Sequence, residues 1–256
     1  MLARRSVRRS EGAFVVEGVK LLRSALEVGG AVEVVFVDEQ ARSHPEVSAV
    51  VEAALQGGAR VFDLAPGVLE RAADTVTPQP VLAVVAMPSA SLADLAGCTF
   101  VVVCVDVRDP GNAGAVIRVA HAAGAGGVVC CAGTVDPFNP KTVRASAGSV
   151  LHIPIAVVGD AGDVLDTLGG HGLRRLAALS RGGTPYTDVD LTSPLALVLG
   201  NEANGLPPDL EDRLDSRVTI PMGGGAESLN VSTAAAVLCF EVARQRSNLH
   251  TMEDAP

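Results

Sequence analysis

Aromatic side chains are almost missing from this chain: they make up 3% of its 256 residues, with no tryptophan and a single tyrosine, Tyr186. The core must therefore be built from Val, Leu, Ile and Ala, and modules that stack bases on aromatic platforms, such as the RNA-recognition motif, are disfavoured. Long apolar runs are missing too. The longest are strand-sized, so nothing is expected to span a membrane, and no apolar segment follows the charged start (Arg4, Arg5, Arg8, Arg9) as it would in a secretory leader. The five cysteines, Cys98, Cys104, Cys130, Cys131 and Cys239, form no CxxC pair. Four of them sit inside apolar runs, which predicts buried, reduced thiols in a cytoplasmic protein and no metal site.

Positive charge is scarce as well, with a formal net charge of −9. Its placement matters more than the sum. Residues 1–23 carry six basic side chains (Arg4, Arg5, Arg8, Arg9, Lys20 and Arg23) against two acids, Glu11 and Glu17. A cationic end on an acidic body can meet phosphates locally. Only two of the twenty basic residues are lysine, and the planar arginine fork suits phosphate.

Hydrophobic residues are abundant at 48%, and their spacing predicts an α/β chain. A helix is expected over 13–26, then a strand at Val32–Val37, a helix at Val47–Leu55, a strand at Arg60–Leu64, a short helix at Val68–Ala73 and a strand at Val81–Ala86. This gives an N-terminal α/β domain over 1–90. Residues 91–98 read as a linker, and a second domain is expected over 99–247. There the apolar runs Phe100–Val105, Gly127–Cys131, Ile153–Val158, Leu176–Leu179, Leu195–Leu199 and Arg217–Ile220 alternate with helices at 112–123, 140–149, 161–168 and 230–245, and a short one near 207–214. Short strands that are apolar throughout indicate a mostly parallel sheet covered on both faces. Residues 248–256 read as a disordered polar tail.

Three loops at strand ends carry chemistry, the place where open α/β sheets bind ligands. In the first, Asp106 to Arg118, Asn112 is placed to cap the following helix, Gly111 and Gly114 keep its mouth open, and Arg118 leans back toward the loop from two turns in. In the second, Leu197 to Leu206, a buried strand runs into Gly200, the carboxylate of Glu202 follows, and Gly205 permits a tight turn. In the third, Ile220 to Ser232, three glycines precede Ser228-Leu-Asn230, with Ser232 near the helix entry. The first loop lacks a third glycine and the third lacks a GK[ST], so neither a dinucleotide fingerprint nor a P-loop is present.

In this order the segments resemble the SpoU/TrmH family of SPOUT methyltransferases. The likeness lies in Asp109-Pro-Gly-Asn112 through Arg118, Pro140 through Gly148, Gly200 through Leu206, and Ile220-Pro-Met222 through Ser228-Leu-Asn-Val-Ser232. The segment Arg9 to Gly18 is similar to the opening of the L30e-like substrate-binding domain that many of these enzymes carry. The resemblance implies a parallel-sheet SPOUT domain with a deep C-terminal trefoil knot, where patterning alone predicts an open Rossmann-like sheet. It implies a homodimer with active sites at the subunit interface and S-adenosylmethionine as cofactor, transferring methyl to an RNA ribose 2′-oxygen. The RNA is expected to be ribosomal; tRNA, or noncatalytic RNA binding on the same fold, are the alternatives. By the same resemblance, Leu199, Gly200, Gly205, Ile220, Met222 and Leu229 are expected to hold the cofactor. Arg118, Asn112, Glu202, Ser228 and Asn230 form the expected catalytic set, with Gly200 needed because a Cβ there would crowd the ligand. Arg4, Arg5, Arg8 and Arg9 are the expected RNA contacts.

Overall fold

The structure, a computed structural model, describes residue 2, residues 4–72 and residues 78–253. The first unit runs α1 (Arg5–Glu11), β1 (Ala13–Glu17), α2 (Val19–Glu27), β2 (Val32–Asp38), α3 (Pro45–Gln56), β3 (Arg60–Leu64), α4 (Val68–Ala72) and β4 (Val81–Ala86). β4 lies between β1 and β2 and is antiparallel to both, while β3 adds in parallel as the outer strand beside β2. The helix expected over 13–26 is instead a strand followed by a helix. Gly18 adopts φ 97°, a left-handed value that no continuous helix passes through. The run Ala-Phe-Val-Val before it alternates, with Phe14 and Val16 inward, as a strand does. Ala73, the expected end of the helix at 68, lies outside the described residues.

The second unit runs β5 (Phe100–Cys104), α5 (Pro110–Ala122), β6 (Gly127–Cys130), α6 (Pro140–Ala145), β7 (Ile155–Val157), α7 (Ala161–Gly170), β8 (Arg174–Leu179), β9 (Thr184–Pro185), β10 (Leu195–Leu199), β11 (Ser216–Thr219) and α8 (Val231–Glu253). Its sheet has seven strands in the order β7-β6-β5-β10-β8-β11-β9, and every pairing is parallel. β5, β6 and β10 are buried along their whole length. Alternation splits their side chains between two layers. Val102, Cys104, Leu195, Leu197 and Leu199 pack with α5 and α8, while Val101, Val103, Ala196 and Val198 pack with α7. The sheet is not a simple open one, because β10 inserts between β5 and β8, both earlier in the chain.

Several boundaries differ from those expected. The helix that begins at Pro140 stops at Ala145, because Gly148 turns left-handed at φ 95° before a 3-10 turn. The helix expected near 207–214 is a 3-10 segment, Pro208–Arg213. The tail expected to be disordered from 248 is helical as far as Glu253, since no glycine or proline interrupts Val231–Glu253; residues 254–256 lie outside the described set. Within the expected linker Leu95 is fully buried, and Ala90 just before it bridges Ala156 on β7. All five cysteines are unpaired, and burial pushes the Cys131 and Cys239 thiols up to about 12. Among the described residues, no helix is long and apolar enough to cross a membrane.

The two units share one core. The Phe14 ring of β1 meets Phe138 of the second unit at 5.1 Å between centroids, and Ser24 of α2 lies 2.6 Å from His152 Nε2. Arg8 of α1 is part of this junction, not of an RNA surface. It is 1% exposed, donates from Nε to Asp136 Oδ2 at 3.0 Å, pairs through Nη2 with the same oxygen, and donates from Nη1 to the Leu2 carbonyl. A guanidinium buried against a carboxylate is closed off from phosphate, so the expected RNA contact at Arg8 is withdrawn; Arg4, Arg5 and Arg9 remain exposed. Arg8→Met should lower the unfolding free energy by about 3 kcal/mol in urea titrations, because it strands the Asp136 carboxylate. Adding Asp136→Leu should recover most of that loss; an undiminished loss in the double variant would mean the pair does not hold the junction.

Candidate active site

A sheet of parallel strands presents all its carboxyl ends on one edge, and β5, β10, β8 and β11 are neighbours there. The loop after β5 opens on Asp106, which takes φ 57°, a conformation that Asp tolerates better than most residues. Its carboxylate accepts from Arg108 Nε at 2.8 Å and its carbonyl accepts from Asn201 Nδ2 at 2.9 Å. The hydrogen bond to Asp106 holds the Arg108 guanidinium above its usual range, with the charge of Glu202 adding to the effect.

Asn112 does not cap α5. Asp109 does, accepting from the Asn112 backbone N–H at 2.8 Å, with Pro110 in the first helical position. The Asn112 side chain is thereby released to bridge two other loops. It donates to Glu202 Oε1 at 2.9 Å and accepts from Asn230 Nδ2 at 2.9 Å. Asn230 in turn starts α8: its Oδ1 accepts from the Ser232 N–H at 2.8 Å and from the Ser232 hydroxyl at 2.7 Å. Ser232, Asn230, Asn112 and Glu202 thus form one hydrogen-bonded chain across three loops. Its direction is set at every link, because each asparagine uses its oxygen as acceptor on one side and its NH₂ as donor on the other.

The glycines act differently from expectation. A Cβ on Gly200 would lie 2.5 Å from the Gly205 carbonyl carbon and 2.6 Å from its oxygen. The loop's own return already demands this glycine. Residues 201 and 205 exchange two backbone hydrogen bonds of 2.9 Å, and Gly205 turns left-handed at φ 68° to make them. Likewise, a Cβ on Gly114 would strike the Thr142 carbonyl oxygen at 2.5 Å, so Gly114 lets α5 and α6 touch and does not open the loop mouth.

Between these loops lies a cavity of about 590 Å³. It is lined by all six residues expected to hold the cofactor, Leu199, Gly200, Gly205, Ile220, Met222 and Leu229, and by Glu202 and Ser228. The size is that of ordinary cofactor pockets, about 300–1,000 Å³. Strand-end backbone and apolar walls suit an adenosine, while Glu202 and Glu227 place carboxylates where a sulfonium cation would be favoured. These residues fit adenosylmethionine. Asn112 and Asn230 stand behind the lining, joined to it through Glu202. Arg118 is not brought in: it is exposed on α5 and has no hydrogen-bond or ion-pair partner among the described residues. Arg4, at the N-cap of α1, and Arg5 and Arg9 within it belong to the first unit and do not line the cavity. Sequence reasoning missed Ser180, Arg181 and Glu227 in the lining. Ser180-Arg-Gly-Gly183 follows β8 at the same sheet edge, and that position was the available signal. Among the described residues no cluster of His, Cys, Asp or Glu is arranged to hold a metal ion.

The SpoU rRNA Methylase family pattern matches residues 99–240, and that of the MRM3-like substrate binding domain matches residues 1–83. The chain is 34% identical over 236 residues to the 23S rRNA (guanosine(2553)-2′-O)-methyltransferase RlmP of Bacillus subtilis, covering 92% of this chain and 90% of the relative. It superposes on the AdoMet-bound rRNA methyltransferase of Sinorhizobium meliloti with a TM-score of 0.84 at 32% identity, covering 95% of this chain and 91% of that one. For the SpoU methyltransferase AviRb of Streptomyces viridochromogenes in complex with AdoMet, the TM-score is 0.87 at 30% identity, with 96% and 95% covered. The geometry of the β10 loop gives a direct test. Gly200→Ala should weaken adenosylmethionine binding tenfold or more in calorimetry, through the clash with Gly205. Gly223→Ala, where an added Cβ meets nothing within 4 Å, should change it little. Equal affinities in the two variants would remove the loop from the cofactor site.

Proposed function

The chain belongs to the SpoU rRNA methylase family, and from that premise we propose that it transfers the methyl group of S-adenosylmethionine to a ribose 2′-hydroxyl of ribosomal RNA. The observation that carries this reading is the Asn230–Asn112–Glu202 chain at the edge of the cavity. When bound, the cofactor supplies an electrophilic methyl group on a positively charged sulfur. The backbone from Leu199 to Gly205 and the walls at Ile220, Met222 and Leu229 would hold it, and the carboxylates of Glu202 and Glu227 in the same lining would favour its positive charge. Glu202 has one oxygen engaged by Asn112 and offers the other to the ribose 2′-hydroxyl, orienting its lone pair toward the methyl carbon and taking its proton as the oxygen–methyl bond forms and the sulfur–methyl bond breaks. Ser228 adds a hydroxyl on the same rim.

Arg118 completes the catalytic set by placing positive charge near the developing alkoxide and the neighbouring phosphate. Guanidinium is a poor base, so charge stabilisation is its role rather than proton removal. Its exposure on α5, apart from its own chain's cavity, supports a homodimer in which it serves the site of the second copy. The insertion of β10 between β5 and β8, and the return of the chain past β8 to β11, support a C-terminal knot of the SPOUT kind. On the same reading residues 1–90 are the RNA-capturing domain, supported by the match of residues 1–83 to a substrate binding domain and by the exposure of Arg4, Arg5 and Arg9, and the enzyme works in the cytoplasm. Arg118→Ala should lower methyl incorporation into ribosomal RNA about a hundredfold or more while leaving cofactor affinity within about twofold. Mixed dimers of Arg118→Ala and Gly200→Ala subunits should regain activity that neither homodimer has. Full turnover by Arg118→Ala would remove the residue from the mechanism, and inactive mixed dimers would confine it to its own chain's site.

A further inference from the structure

The sheet of the first unit has two unequal faces. Val35 and Val37 of β2 point into the core beside α2 and α3, as do Val81, Ala83 and Val85 of β4. Strand alternation sends Val34 and Phe36 the other way, with Leu82 and Val84 of β4 and Val15 of β1. Register places Arg60 of β3 beside Val34 and Phe62 beside Phe36 on that same face. None of these residues belongs to either core cluster. α4 lies against β2 there and buries Leu69, yet Phe62 stays 47% exposed.

Phe36 and Phe62 stack with ring centroids 5.8 Å apart and planes inclined by 23°. One side of the Phe62 ring is therefore taken by Phe36 and the other is left open. Arg60 leaves β3 on the same face two residues earlier, is exposed, and has no partner among the described residues. Asp63, the acid of this strand, points to the opposite face and is engaged by Arg42 at 3.3 Å. An open aromatic ring with an unpaired guanidinium beside it matches the flat face of a nucleobase and its adjoining phosphate. The low aromatic content of the chain disfavours a whole domain of such platforms, but a single stacked pair needs only two rings.

We propose that the outer face of the first sheet, at Phe62, Phe36 and Arg60, is a stacking platform for an unpaired base of the RNA substrate. This rests on the RNA methyltransferase reading above, and it assigns the first unit a second contact besides the α1 arginines. The ring of Phe62 takes the base and Arg60 takes the phosphate, so the surface selects a single-stranded or bulged nucleotide over a continuous duplex.

The chain contains no tryptophan, so Phe62→Trp introduces one fluorophore at the platform. Short single-stranded oligoadenylate should quench its emission, and a duplex of the same length should not. Phe62→Leu keeps an apolar side chain but has no ring face, and should raise KM for ribosomal RNA about tenfold at unchanged kcat, with Phe62→Trp restoring it. Arg60→Gln should raise KM as well and flatten its salt dependence. All three variants should bind adenosylmethionine as the parent does, which separates the effect from misfolding. An unquenched tryptophan, or a Phe62→Leu enzyme with the parent's KM, overturns the platform. A change of oligomeric state in Phe62→Leu at unchanged KM overturns it too, and gives the face to a second copy of the chain. If the parent chain itself fails to methylate ribosomal RNA while binding cofactor, the underlying reading fails and the platform with it.

Discussion

The amide of Asn112 can satisfy Glu202 and Asn230 together only if the first turn of α5, the loop after β10 and the start of α8 are held within hydrogen-bond distance of one another. These three pieces are separated in sequence by 90 residues on one side and 118 from end to end, and the chain brings them together at the shared carboxyl edge of β5, β10 and β11. Each link is an ordinary hydrogen bond, contributing about 1 kcal/mol. Their importance lies in direction: Asn230, fixed by Ser232, turns the oxygen of Asn112 toward itself and thereby presents its NH₂ to Glu202. An acid in place of the central amide would set two carboxylates against each other. The wall of the cavity depends on this arrangement, and so does the orientation of the reacting hydroxyl in the proposed mechanism.

A second constraint lies at the junction of the two units. Arg8, Asp136, Phe14 and Phe138 pack the first sheet onto the segment that leads into α6, and α6 packs in turn on α5 through Gly114. The helix carrying Asn112 and Arg118 therefore sits one layer from the unit proposed to capture RNA. Such a contact fixes the distance between capture surface and reacting centre, which is what selects one ribose in a large substrate. Removing the first unit would expose Phe138 and leave Asp136 unpaired, so isolating the second would disturb the α6 packing as well as RNA capture.

The parallel sheet and its two-sided burial are legible in the sequence, because fully apolar runs of four or five residues between helices admit few other readings, and so are the loops that meet around the cavity. The loops' glycines are legible in the sequence, but the backbone that two of them meet is not. Gly200 and Gly114 are demanded by backbone returning from elsewhere in the chain, at Gly205 and Thr142, and no local pattern encodes such an approach. The cap of α5 was misassigned for a related reason: Asp109 and Asn112 are both competent caps, and Pro110 settles the choice by occupying the first helical position. The strand at 13–17 was hidden by apolar spacing that happened to continue into α2. Arg8 was hidden among arginines that look alike in one dimension, and only the position of Asp136, 128 residues away, tells it from Arg9.

In the proposed mechanism these loops deliver a ribose 2′-hydroxyl to a methyl donor held between the loops after β10 and β11. The most direct measurement is in vitro methylation of ribosomal RNA from cells lacking this enzyme, with labelled adenosylmethionine, followed by mapping of the labelled nucleotide. Label should appear on a ribose 2′-oxygen at one position. Label on a base, or RNA left unmethylated by protein that binds the cofactor, would contradict that mechanism.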